Sequence, residues 1–185
     1  MTAITGSDRT GRPPQERKAT MDESHDVVDL LVQDHRRLEG LLDRLDREQD
    51  PSELRSIYLQ IVGELAAHEA CEQQVVFPAV RASVPAAATD VVASLGQHEE
   101  INSLLDEMVA LDPSCFGFMK RASALALELR AHFGEEEEVF DRLRAALKPA
   151  ELADLARRAR IAKSCAPAFP PAVHPGSSSF AGTIA

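Results

Sequence analysis

The stretch His68-Glu69-Ala70-Cys71-Glu72 decides the fold of this chain, because it places an imidazole and a carboxylate four residues apart within a helical repeat. The repeat alternates steps of four and three, which is the spacing of a buried helix face. It comprises Leu54, Tyr58, Ile61, Leu65, His68, Glu72, Val75 and Ala79. Burial of an unpaired carboxylate is costly, so the rest of the chain has to supply a partner or a metal ion.

Three other segments show the same repeat, and each has a histidine where an apolar residue is due. The first segment contains His35, the third contains His98, and the fourth contains His132 with Glu136 four residues later. The segments are separated by breaks that contain Pro51, Pro85 and Pro113. Four amphipathic segments with short connections predict an all-α fold, an antiparallel up-down-up-down four-helix bundle.

The bundle is predicted to span residues 22–147, with a cap near Asp22 to Ser24, and a short fifth helix is predicted at 148–163. Pro78 lies inside the second segment and is expected to bend the helix there or end it after Phe77, since proline removes a backbone hydrogen bond. The flanking stretches 1–21 and 164–185 have the composition of a disordered lead and a disordered tail.

Composition and charge exclude several classes of protein. The 185 residues carry a formal net charge of −10, and only 4% of them are aromatic. We expect no nucleic-acid partner from so acidic a chain, and no membrane partner because no apolar run approaches the length of a span. Three cysteines without CxxC spacing predict neither a disulfide framework nor a thiolate zinc site, and they fit a cytoplasmic protein. A protein partner stays unknown at this stage.

The inward polar side chains can meet at one level of the bundle, because successive histidines are 30 to 34 residues apart. The two His/Glu pairs form clamps, since side chains four residues apart on a helix lie side by side. Four nitrogens and two carboxylates are enough for two metal ions, and they suit iron, manganese or zinc better than magnesium or calcium. The candidate ligands are His35, His68, Glu72, His98, His132 and Glu136.

The sequence resembles the hemerythrin-like, or HHE cation-binding, family over roughly residues 26–147. The motifs are Asp34-His35, His68-Glu69-x-x-Glu72 followed by Val75-Val76-Phe77-Pro78, Gln97-His98-Glu99, and His132-x-x-x-Glu136 followed by Val139-Phe140. The resemblance implies a four-helix bundle with a non-haem di-iron site that binds dioxygen or reacts with hydrogen peroxide. It also implies that the six candidate residues are the iron ligands.

Two positions depart from the pattern of oxygen-carrying hemerythrins. Those proteins have a second histidine where this chain has Asn102, and an aspartate where it has Glu137. The repeat favours Glu136 over Glu137 as a ligand, because consecutive residues are about 100° apart round a helix. One imidazole fewer favours peroxide chemistry, oxygen or redox sensing, or iron handling over reversible oxygen carriage.

Three interpretations of function are therefore open. The first is a redox di-iron protein that binds dioxygen or decomposes peroxide. The second is a metal, oxygen or redox sensor, or an iron-binding module without turnover. The third is a metal-free structural bundle, which is disfavoured because the inward faces contain no Lys or Arg to pair with two buried glutamates.

The remaining polar side chains near the motifs receive simpler predictions. Tyr58 and Cys71 are expected to pack in the core, and Asn102 is expected either to make an internal hydrogen bond or to face the metals. Solvent-exposed helix faces are predicted for Glu69, Glu135, Glu137 and Glu138. Glu69 has the alternative of supporting the neighbouring ligand, since ligating imidazoles usually donate to a second group.

Overall fold

The computed structural model describes residues 26–166, and that part of the chain is entirely helical apart from short connections. Its six α-helices are α1 (Val27–Arg47), α2 (Pro51–Cys71), α3 (Phe77–Ser83), α4 (Ala88–Val109), α5 (Phe116–Ala146) and α6 (Pro149–Cys165). The predicted four-helix bundle is confirmed, with α2 and α3 together forming its second rod. Helix α6 is the predicted fifth helix. The predicted lead and most of the predicted tail lie outside the described residues.

Helix α1 begins directly after Asp26, whose carboxylate accepts hydrogen bonds from the backbone N–H groups of Val28 (2.8 Å) and Asp29 (3.0 Å). The Arg144 side chain in α5 donates to the same carboxylate at 2.6 Å and 2.8 Å. This cap therefore also ties the first helix to the fourth rod. The cap predicted at 22–24 lies outside the described residues, and within them helix α1 is capped by Asp26.

The second rod continues through Pro78 to Ser83, so the alternative prediction of an end after Phe77 is wrong. A π-helical turn, Glu72–Val76, joins α2 to α3, and the backbone N–H of Phe77 donates to the carbonyl of Glu72. Pro78 consequently falls in the first turn of α3, where its missing N–H is tolerated. The wide turn begins at one of the candidate ligands.

Two apolar clusters fill the bundle, one on each side of a buried polar layer. The first cluster includes Leu31, Val76 and Phe140, and the second includes Leu38, Leu65 and Leu129. The buried polar and charged side chains are Asp34, His35, His68, Glu69, Glu72, Ser94, His98, His132 and Glu136. The chain therefore places most of its buried charge in one layer between two apolar ends.

Tyr58 and Cys71 pack in the core as predicted. The Tyr58 hydroxyl donates to the Leu105 carbonyl at 2.8 Å, so its polar atom is satisfied while the ring is buried. Burial raises the pKa of the Cys71 thiol to about 12, which suits a packing residue and not a reactive thiolate.

Helix α6 lies outside the four rods and packs against α1, α2 and the π-helical turn. Its buried side is made of Leu152, Leu155, Ala156, Ala159 and Ala162. Small residues let this helix approach the bundle closely at the level of the polar layer. Of the helices in the described range, none has both the length and the apolar character needed to cross a membrane.

Candidate metal centre

The structure brings the six predicted ligands together in the polar layer. Each of these side chains belongs to a residue that is at most 2% exposed. They come from all four rods. Every rod carries one imidazole at the same level, and the second and fourth rods each add a carboxylate one helical turn further along. The four imidazoles and two carboxylates therefore lie together at one level of the bundle, as the repeat predicts.

The four imidazoles form two close pairs. His35 Nε2 lies 3.3 Å from His68 Nε2, and His98 Nε2 lies 3.1 Å from His132 Nε2. Two nitrogens that each lie about 2.1 Å from one ion, at ordinary coordination angles, are roughly 3.0–3.4 Å apart. Each pair therefore has the separation expected of two ligands of the same metal ion.

The Glu136 carboxylate lies between the two imidazole pairs. Its Oε2 is 3.5 Å from His35 Nε2 and 3.3 Å from His132 Nε2, while Oε1 is 3.6 Å from His98 Nε2. Two groups of buried residues that could each hold a metal ion share this glutamate: one adds His35 and His68, the other His98 and His132. Glu136 is thus common to both groups of potential ligands.

Glu72 spans the same two pairs from the opposite rod. Its Oε1 lies 3.3 Å from His68 Nε2, and its Oε2 lies 3.4 Å from His98 Nε2. One oxygen therefore faces each half of the centre. With Glu136, this arrangement places two imidazoles and two carboxylates around each half of the layer.

The buried carboxylate oxygens test whether the layer suits metal ions. Both oxygens of Glu72 and both of Glu136 lack a hydrogen-bond partner, although imidazole nitrogens lie 3.3–3.7 Å away. An unsatisfied buried polar group costs about 1–3 kcal/mol, and more when it is charged. Four such oxygens directed at the space between two imidazole pairs fit a pair of cations.

Electrostatic coupling within the layer favours anionic Glu136 and a protonated His98 imidazole when no metal is bound. Burial raises the pKa of Glu136, but the imidazoles of His35, His68 and His98 outweigh it and hold the pKa well below its usual range. Burial lowers the pKa of His98, but Glu136 and Glu72 outweigh it and raise the pKa to about 10. Protons on imidazole thus supply part of the positive charge that metal ions would bring.

Three of the four rings are held by an acceptor at Nδ1. The pairs are His35 with Glu137 Oε1 (3.0 Å), His68 with Asp34 Oδ2 (3.4 Å) and His132 with Gln97 Oε1 (2.9 Å). An acceptor at Nδ1 fixes the ring proton there and leaves the Nε2 lone pair facing the centre. The solvent-exposed face predicted for Glu137 is therefore only half right, because its side chain is 45% exposed and yet contacts a candidate ligand.

A sequence model described as hemerythrin HHE cation-binding domain matches residues 26–140 of this chain. The chain belongs to the hemerythrin HHE cation-binding domain family. The matched range contains all six candidate ligands, and the resemblance predicted from the motifs is confirmed.

Two known proteins place this HHE domain in context. A crystal structure of a hemerythrin HHE cation-binding domain-containing protein from Mycobacterium kansasii has a TM-score of 0.63 to this chain, with 18% sequence identity, and the match covers 76% of this chain and 86% of that one. It supports the fold. A protein named DNA nickase from Nostoc sp. (strain PCC 7120) is 27% identical over 139 residues, which is 75% of this chain but only 39% of that relative.

Glu69 is a seventh inward donor in this HHE domain, and its predicted solvent-exposed position is wrong. The residue is 7% exposed; Oε2 accepts a hydrogen bond from Asn102 Nδ2 at 3.0 Å, and Oε1 has no partner. Burial raises the pKa of Glu69, and His98 opposes the rise more strongly than any other group. Asn102 lies one helical turn beyond His98 on α4, so this hydrogen bond places Glu69 on the His98 side of the centre. Asn102 is itself exposed, and it makes the structural hydrogen bond that was one of its two predictions.

Proposed function

We propose that this HHE domain holds two iron ions and that it binds dioxygen or reacts with hydrogen peroxide there. The observation that carries the proposal is the pairing of four imidazole nitrogens around two bridging carboxylates whose oxygens have no other partner. When bound, an iron pair supplies electrons to a small oxidant. Zinc and manganese bind the same types of ligand. The identity of the metal as iron is therefore itself part of the proposal.

The residues have distinct roles in this proposal. His35 and His68 hold one ion, while His98 and His132 hold the other. Glu72 and Glu136 neutralise both ions, and the apolar clusters on either side keep bulk water from the layer. Such exclusion strengthens every electrostatic interaction within the centre.

Glu69 adds a group that can exchange a proton beside the His98 half. Its free Oε1 lies in the buried layer, while its Oε2 is held by the exposed Asn102. Because burial raises the pKa of this carboxyl, it takes up a proton more readily than an exposed glutamate does. We therefore assign it either direct ligation or proton delivery to a bound oxidant.

A sensor or iron-binding module without turnover is the second candidate function. It is supported by α6, which lies outside the four rods and yet contacts Asp34 in the buried layer through Lys163. An ordered outer helix that touches the centre can transmit metal occupancy to a partner. The DNA nickase activity is a property named for the Nostoc relative, and we do not propose it for a chain of net charge −10.

We further propose that the small ligand is dioxygen or hydrogen peroxide and that neither nucleic acid nor membrane is a partner. All three cysteines are free, which supports our proposal of a reducing, cytoplasmic location.

The deciding experiment is elemental analysis and optical spectroscopy of protein purified in air. We expect two iron ions per chain and the near-ultraviolet absorption of a ferric pair, and His68→Ala should abolish that absorption. Oxygen evolution on addition of peroxide would favour the redox protein, whereas metal-dependent partner binding without turnover would favour the sensor. Colourless protein with a single zinc ion would refute the iron pair.

Glu69→Gln should weaken the His98 half of the centre selectively. We expect about a tenfold loss of affinity for one of the two ions, since even groups that only support a ligand commonly cost 10–100-fold. Calorimetric titration of metal-free protein would resolve the two binding steps. The matched control is Glu99→Gln, because Glu99 is exposed and also adjoins a candidate ligand. Equal weakening of both steps would contradict the placement of Glu69 in one half.

A further inference from the structure

We propose that Lys163 of α6 is a positioning residue for the metal pair, acting through Asp34 on the His68 ring. The inference rests on the proposed function. Lys163 Nζ donates to Asp34 Oδ2, and the same oxygen lies 3.4 Å from His68 Nδ1. One carboxylate oxygen therefore connects a cation outside the bundle to a candidate ligand inside it.

Asp34 is buried enough for this connection to matter. Its side chain is 1% exposed, and its two oxygens are divided between neighbours, with Arg37 donating to Oδ1. Arg37 is 46% exposed, whereas Lys163 is 16% exposed. Solvent screens an exposed cation more than a buried one, so Lys163 is the stronger influence on the charge of Asp34.

The position of Lys163 follows from how α6 packs. Ala159 and Ala162 are buried against the bundle, which brings the last turns of α6 close to α1. The two alanines make the contact between α6 and the bundle, and this contact does not require a lysine at position 163. A long side chain next to the buried alanines reaches the polar layer instead.

The chemical consequence concerns the balance between oxidised and reduced iron. A carboxylate that accepts from imidazole Nδ1 strengthens the ring as a donor. Lys163 shares the accepting oxygen and therefore moderates that effect. Without the lysine, His68 becomes a stronger donor and a nearby positive charge is lost, and both changes favour the ferric state. We expect the ratio of ferric to ferrous affinity to rise about tenfold, with a lower reduction potential.

The test is a potentiometric titration of the iron-loaded full chain, followed by its near-ultraviolet absorption. Lys163→Met should lower the potential with iron content unchanged, and Lys163→Arg should restore it. The control Arg160→Met removes the same charge from an exposed position of α6 and should leave the potential unchanged. In an Asp34→Asn background, Lys163→Met should cause no further shift, because the connecting carboxylate is gone.

The outcomes separate this inference from the proposed function. Parent protein with two iron ions and a Lys163→Met variant of unchanged potential would reject the role of Lys163 alone. Parent protein without an iron pair would reject both proposals. If Lys163→Met does not fold, Lys163→Gln keeps a polar side chain at the position, and an unchanged potential in that variant would overturn the inference.

Discussion

Glu136→Gln should leave a folded helical bundle that no longer retains a metal pair. Glu136 is the one residue shared by the two groups of potential ligands found in the described residues, and its oxygens face imidazoles of both halves. The amide keeps the shape of the side chain but loses the negative charge that both ions need. Since loss of a supporting group already costs about 10–100-fold in affinity, we expect a loss of at least about 100-fold.

The measurement is metal content per chain after desalting, combined with circular dichroism. Glu138→Gln is the matched control, because Glu138 lies two residues away on the exposed side of the same helix. Helical content should be native in both variants. A Glu136→Gln protein that keeps two ions would show that the bridge assigned to this residue does not exist.

Removal of the metal with a chelator should lower the melting temperature by about 8–16 °C. An ion present at 1,000 times its dissociation constant adds roughly 4 kcal/mol to the free energy of unfolding. In a chain of this size, each kcal/mol corresponds to about 2–4 °C. The physical cause is repulsion between the buried carboxylates of Glu72 and Glu136 once the metal ions are gone. Protonated imidazoles replace only part of the positive charge that the ions supplied. Melting curves by circular dichroism would measure the difference.

This difference should grow between pH 7 and pH 9. His98 has its pKa raised from 6.5 to about 10 in the metal-free fold. A group with a raised pKa stabilises the fold fully below its unfolded value and loses that contribution as the pH rises toward its folded value. Metal-free protein therefore weakens with rising pH, while imidazoles that bind metal are deprotonated already. In Glu136→Gln, the chelator should barely change the melting temperature at either pH. A decrease as large as that of the parent protein would contradict the assignment of Glu136 as a metal ligand.

The architecture could be read from the sequence because each rod repeats its apolar residues at steps of three and four. The six candidate ligands were accessible for the same reason, since they interrupt that repeat at polar positions such as His35 and His132. Periodicity along one helix determines which side chains point inward. This periodicity therefore identifies the side chains that meet at the centre of the bundle.

The supporting residues were not accessible in this way, because their partners lie on other helices. Asp34 precedes His35 but holds His68, and Gln97 precedes His98 but holds His132. Such pairs depend on how neighbouring helices are rotated and offset, which spacing along a single helix does not encode. A polar residue directly before His35 and before His98 was the only available signal, since alanine precedes the other two inward histidines. Glu69 was missed for the same reason, since it lies one residue away from the repeat.

The π-helical turn also changes how related sequences should be compared with this one. Each residue advances the helix by about 100°, so one additional residue in a turn shifts the phase of everything that follows. Val75, Val76 and Phe77 can consequently all be buried in succession, and Val80 is buried where the uninterrupted repeat would have placed Ala79. An alignment that ignores this offset will assign the wrong inward faces beyond Val75, and a redesigned second rod without the extra residue would turn α3 away from its contacts.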